Sequence, residues 1–336
     1  MRMILSALAV TLFALATPAR ADELAPLRIR LDWTPWGNQA AFHLANAKGW
    51  YKEAGLDVTI DDGNGSTGTV QIVGTGSDYD VGFAALSSMV IARGKGLPVR
   101  AIAAYARNSD IGVMVPLDSG ITTIAGLKGK KIGYTASSLE TPFLDSFLKA
   151  GGLTKADVEL INMEGAAKLG AYISGKTDAA FSAIPFLVPA VNEGRPSRGI
   201  GLSAAGLAMP SYGLFARQSV IDARRDVLTR FVTVTDAAWA YIIAGHEDEG
   251  VAAIRAARPN AKLNAAAMRA QIDSFITFFP TPATKGMPPG RMAEADWQAA
   301  VETMRGAKLI PDDVKAADLY TDALFDPALY QHIAAQ

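Results

Sequence analysis

Strand-like runs alternate with helical segments from residue 27 to 115, and the alternation starts again at Lys130. This doubled pattern constrains the chain most. Parallel strands need long crossovers, and helical crossovers cover the faces of each sheet. The runs 27–31, 56–60, 79–84, 99–105 and 111–115 read as strands, with helices near 38–47, 69–73 and 86–93. In the second block, strands are expected at 130–134, 158–162 and 179–181, with helices at 139–150, 166–174 and 186–193. A further strand is expected at 211–216. The chain then turns helix-rich through 226–244, 247–257, 264–278 and 294–305. A helical tail must bury its apolar stripe, and the first block is the natural surface. The expectation is an α/β chain of two lobes around a ligand cleft. Lobe one comprises residues 22–115 plus 211–336, and lobe two residues 116–210. The hinge has two crossings, near Val115-Pro116 and near Pro210-Ser211.

Residues 1–21 stand outside that scheme. Arg2 precedes an apolar run from Met3 to Ala16, Pro18 ends it, and Ala19-Arg20-Ala21 has the small-x-small form of a signal-peptidase site. The run is shorter than the ~20 residues that span a bilayer. A later apolar stretch, 227–245, carries Arg230 and Asp236, both costly in lipid. Cleavage removes Arg2 and Arg20 and no acid, so the net charge moves from −1 to −3. With no basic stripe, nucleic acid is a poor partner. The chain has no cysteine, which excludes disulfides, thiolate nucleophiles, cysteine-held metals and a lipid-anchored N-terminal cysteine.

Gly63-Asn64-Gly65-Ser66-Thr67-Gly68 fits G-x-G-x-x-G. It follows the second strand rather than the first, Asp61 and Asp62 precede it, and Asp78 or Asp80 comes too early for a ribose partner expected ~20 residues on. A dinucleotide is therefore not expected. Ser66, Thr67 and Thr69 hydroxyls at a helix N-terminus would suit a polar ligand edge instead. The histidines, His43, His246 and His332, have no zinc-ligand spacing, and no G-x-S-x-G elbow occurs. No catalytic residue, metal site or cofactor is expected. Five aromatic residues sit where strands hand over to loops: Trp33, Trp36, Tyr134, Phe186 and Tyr212. Ligands of α/β sheets bind at such ends, and a flat ligand stacked there gains ~0.5–1.5 kcal/mol per ring.

Leu31-Asp32-Trp33-Thr34-Pro35-Trp36-Gly37-Asn38, then Ala45-Asn46-Ala47-Lys48-Gly49-Trp50-Tyr51-Lys52-Glu53-Ala54-Gly55-Leu56-Asp57-Val58, resembles the NMT1/THI5-like solute-binding proteins. Their pattern reads LDW-x-PN-x-NH, then A-x-x-KG-[YF]-[FY]-x-x-x-GLDV. The stretches 65–68, 127–133 and 175–180 agree as well. The resemblance implies a periplasmic-binding-protein-like fold that closes on a small molecule and passes it to the permease and ATPase subunits of an ABC importer. It also implies a soluble periplasmic monomer. The ligand class implied is a heteroaromatic such as a thiamine-precursor pyrimidine, with a small organic anion (sulfonate, taurine, nitrate or aromatic acid) as the alternative.

By the family pattern, Trp33, Asn38, Ser66, Thr67 and Gly68 would line the cleft from lobe one. Glu140 matches an acid that meets the aminopyrimidine. An ionised Glu140 would repel a small anion, and no base in the matched motifs offsets it. Trp36 stands where the pyrimidine binders carry Asn, and Thr141 where a second Glu is frequent. Gln39 stands where the fungal pyrimidine synthases carry the histidine they consume. With no cysteine for the synthases' iron motif, the resemblance favours a binding protein over an enzyme. Intact-mass analysis of the exported protein is expected to give a chain beginning at Asp22; a full-length chain in the membrane fraction would contradict this.

Overall fold

A computed structural model describes residues 23–336 except 137, 139, 206 and 208, so the expected signal segment lies outside the described residues. Among the described residues ten strands occur: β1 Ala25–Arg30, β2 Leu56–Asp61, β3 Val81–Ala85, β4 Val99–Ala104, β5 Ile111–Pro116, β6 Lys131–Tyr134, β7 Glu159–Asn162, β8 Ala179–Ala183, β9 Ser197–Gly201 and β10 Tyr212–Arg217. They form two five-stranded sheets, β2-β1-β3-β10-β4 and β7-β6-β8-β5-β9. β1 is parallel to β2 and β3, and β6 is parallel to β7 and β8. β10 runs antiparallel to β3 and β4, and β5 antiparallel to β8 and β9. In each sheet the reversed strand is the one delivered from the other sheet. Each sheet is thus mixed rather than uniformly parallel.

This topology corrects the first boundary. Residues 111–115 were expected in lobe one, but β5 pairs with β8 and β9 of the second sheet, so the first crossing is 105–110. Nothing helical separates β4 from β5, and strand periodicity does not say which sheet a strand joins. β9 had no strand signal at all: Ser-Arg-Gly-Ile-Gly is too glycine-rich to read as a strand.

The two crossings hold each other. Tyr105 and Ala106 N–H groups donate to the Tyr212 carbonyl at 2.9 and 3.1 Å, and Ser211 N–H donates to the Ala106 carbonyl at 2.7 Å. The Ser211 hydroxyl donates to Asp110 Oδ1, and Asp110 is fully buried. Burial pushes the Asp110 carboxyl up to about 7, with the Ser211 hydrogen bond pulling the other way.

The tail docks on the first lobe. Helix Arg225–Tyr241 buries Leu228, Phe231, Val234, Ala238 and Trp239. The stretch Arg225–Ala257 is long and apolar enough to cross a membrane by length and composition, yet its most apolar window is 61% buried in the protein. Inside it, Asp236 is fully buried and accepts from Tyr105 OH and from Arg291 Nη2, each at 3.0 Å. Gly290 beside it has φ +82°, and a Cβ there would lie 1.9 Å from Asp236 Oδ1. Gly290→Ala is therefore expected to destabilise the protein by at least about 2 kcal/mol, read as a lower urea midpoint with unchanged slope.

Candidate functional site

The carboxyl ends of both sheets face one cavity of about 120 Å³. In each sheet the strand order reverses there, between β1 and β3 and between β6 and β8, which is where open α/β sheets leave a crevice. From lobe one come Asp32, Trp33 and Trp36 after β1, Asn64, Gly65 and Ser66 after β2, and Tyr212 at the start of β10. From lobe two come Thr135, Ser138 and Glu140 after β6, Glu164 and Lys168 after β7, Ser182 and Ala183 at the end of β8, and Phe186 in the helix Ile184–Val191 that follows it.

The glycine-rich loop braces the site. A Cβ on Gly63 would stand 2.1 Å from the Leu31 carbonyl oxygen, so the two loops can approach only with glycine there. Gly65 N–H donates to the Asp32 carbonyl at 2.6 Å, and Thr69 Oγ1 to the Leu31 carbonyl at 2.8 Å. Ser66 Oγ donates to Asp32 Oδ2 at 3.0 Å and accepts from Ala85 N–H at 3.1 Å. The Ser66 and Thr69 hydroxyls, expected to meet a ligand, are therefore spent on the protein. Gln39 is buried and donates to the Trp33 and Thr34 carbonyls, steadying the tryptophan loop.

Trp36 is 2% exposed and meets Phe186, Tyr212 and Phe275 edge-on at ring-centroid distances of 5.4, 5.7 and 5.9 Å. Phe186 belongs to lobe two, so this cluster packs the lobes together under the cavity. Gln271 of helix Ala265–Ile276 adds a polar bridge. It accepts from Gly37 N–H at 3.1 Å and donates to the Phe186 carbonyl at 3.2 Å.

Two charged features stand out. Lys168 Nζ lies 2.7 Å from Glu140 Oε1 and also donates to the Phe181 carbonyl at 2.9 Å, with side-chain exposures of 4% and 1% for Lys168 and Glu140. Glu140 is thus no free carboxylate, and the base missing from the family motifs is Lys168. Asp32 is also buried, and burial pushes its carboxyl up to about 7, partly offset by the Ser66 and Tyr212 hydroxyls.

The family description "NMT1/THI5 like" matches residues 36–249. The chain belongs to the NMT1/THI5-like family. It is 26% identical over 250 residues to a putative thiamine biosynthesis protein of Haemophilus influenzae, covering 73% of this chain and 77% of that one. A formylaminopyrimidine-binding protein of Halalkalibacterium halodurans is 29% identical over 164 residues, 48% of this chain and 49% of its own. The 4-amino-5-hydroxymethyl-2-methylpyrimidine phosphate synthase of Aspergillus parasiticus is 33% identical over 149 residues, 44% of this chain and 43% of its own, so the match spans less than half of that enzyme. In structure, the alkanesulfonate-binding protein SsuA of Xanthomonas axonopodis pv. citri superposes with a TM-score of 0.67 at 16% identity, over 90% of this chain and 99% of that one. The fold is that of periplasmic binding proteins.

Within this NMT1/THI5-like cleft, Trp33, Trp36, Ser66, Glu140, Phe186 and Tyr212 come together. Asn38, Thr67, Gly68 and Tyr134 are not among the cavity's lining residues: Asn38 is fully buried in the turn Gly37–Gln39, and Thr67 is exposed. Asp32, Asn64, Glu164 and Lys168 were not singled out beforehand. Asp32 stood inside the quoted LDW motif, and Lys168 was a lone cation in the otherwise uncharged run Gly165–Ile173.

Asp32 also makes a prediction about stability. Its folded value near 7 lies above the unfolded value of about 3.9, so the advantage of the protonated form is complete below about pH 4 and is lost as pH rises through 7. Asp32→Asn is expected to raise the melting temperature by a few degrees at pH 8 and to change it little at pH 4.

Proposed function

We propose that the chain is the periplasmic solute-binding component of an ABC importer and captures a small amino-heteroaromatic such as a thiamine-precursor pyrimidine. One observation carries this reading: an aromatic cavity between the two lobes whose one cation among the described lining residues, Lys168, is already neutralised by Glu140, while Asp32 and Glu164 add acid. Such a wall suits a neutral or cationic ring bearing N–H groups and is poor for an anion. The formylaminopyrimidine-binding relative supports the ligand class. Ligand touching both lobes would favour the closed arrangement, with the crossings at 105–110 and at Pro210-Ser211 acting as the hinge. A binding role rather than a synthase role is supported by Gln39, whose amide braces the tryptophan loop.

A second reading, capture of a small organic anion, draws on Lys168 in the wall and on the fold shared with SsuA. Calorimetry separates the two. The native protein is expected to bind 4-amino-5-hydroxymethyl-2-methylpyrimidine and not taurine or nitrate. Glu140→Gln frees the Lys168 charge and is expected to let taurine or nitrate bind. Tight anion binding by the native protein, with none of the pyrimidine, would reverse the choice.

A further inference from the structure

Asp32 and Thr135 are cleft-lining side chains with a buried oxygen that lacks a hydrogen-bond partner among the described residues, and Asp32 is the acid of the two. It is 3% exposed, its Oδ2 accepts from Ser66, and its Oδ1 is buried without a hydrogen-bond partner. The Tyr212 hydroxyl faces Asp32 closely enough to oppose the upward shift of its carboxyl, yet Oδ1 is left without a hydrogen bond of good geometry. Yet Asp32 lines the cavity beside Trp33. A buried acceptor without a donor is costly, and native proteins rarely leave one unless a ligand, ion or water completes it. Glu140 is in a different state, because Lys168 already completes one of its oxygens.

We propose that Asp32 Oδ1, rather than Glu140, is the atom that selects the ligand, by accepting an N–H from the edge of a flat amino-heteroaromatic lying against Trp33. The inference rests on the binding-protein reading above and adds the specificity-determining residue. The charged and titratable groups around Asp32 leave room for that role. Tyr212 faces it from β10, Asp110 from the first crossing, and Glu140, Glu164 and Lys168 from lobe two. The one cation among these described groups, Lys168, is held by Glu140. A ligand N–H would therefore supply the donor that Asp32 lacks. Such a bond favours the ionised carboxylate. With the free carboxyl titrating near 7, ligand binding at neutral pH releases part of a proton.

The test compares 4-amino-5-hydroxymethyl-2-methylpyrimidine with its 4-dimethylamino analogue, which lacks the N–H, and with taurine. Affinities are measured by calorimetry in two buffers of different ionisation enthalpy at pH 7. The native protein is expected to prefer the amino probe by about 10- to 100-fold, the usual worth of a hydrogen bond to a charged group, and to release protons on binding. Asp32→Asn and Asp32→Ala are expected to lose most of that preference and the proton release. The ratio between probes is the readout, since a merely structural defect lowers both affinities together. Unchanged preference in both variants would overturn the role of Asp32 while leaving the pyrimidine-binding reading intact. Binding of taurine alone, or of none of the three, would overturn both.

Discussion

The hydrogen bonds between the two crossings are the constraint on which the rest of the molecule depends. Tyr105, Ala106 and Asp110 on one segment meet Ser211 and Tyr212 on the other. Because the chain must leave one sheet and return, each sheet receives one strand running against its neighbours. That reversed strand brings its neighbour's loops and its own start to one edge. Tyr212, first residue of β10, therefore reaches the cavity together with loops that follow β1 and β2. The cleft is a consequence of the topology, and the tail secures it by pinning the crossing through Arg107, which donates to the Phe279 and Pro288 carbonyls.

Charge in the cleft is arranged by pairing rather than by composition. Glu140 and Lys168 sit on different elements of lobe two and cancel each other out of contact with water. Removing one partner would strand the other as a buried charge, which typically costs about 3–5 kcal/mol. Their pairing turns an apparently acidic wall into one with a neutral side and leaves Asp32 across the cavity as an acid with an oxygen that lacks a partner among the described residues. Aromatic packing divides similarly. Trp36 closes against Phe186, Tyr212 and Phe275 and serves the lobe contact, whereas Trp33 is left half-buried at the cavity wall.

The alternation of strands and helices was legible because it is local. Period-two apolar runs such as Leu56–Asp61 and glycine stops such as Gly49, at φ +78°, depend on a few neighbouring residues. The LDW motif and the glycine-rich loop were legible for the same reason, and both reach the cavity wall. What escaped was relational. The hydroxyls of Ser66 and Thr69 look free in sequence, but the loop after β1 lies close enough to take them. Asn38 shares the tryptophan motif yet turns up fully buried in the turn Gly37–Gln39.

The sequence by itself determined two α/β blocks, a helical tail and an aromatic, glycine-rich set of loops, since side-chain periodicity and backbone freedom are properties of short segments. Only the tertiary structure decided that β5 belongs to the second sheet, that Lys168 neutralises Glu140 and that Asp32 keeps an oxygen without a partner. Those facts depend on which groups meet across 28 to 101 residues of chain, as Glu140 with Lys168 and Asp110 with Ser211. Hydrogen bonding and burial act over a few ångströms in space, and no local pattern in the chain records which distant partner will stand there.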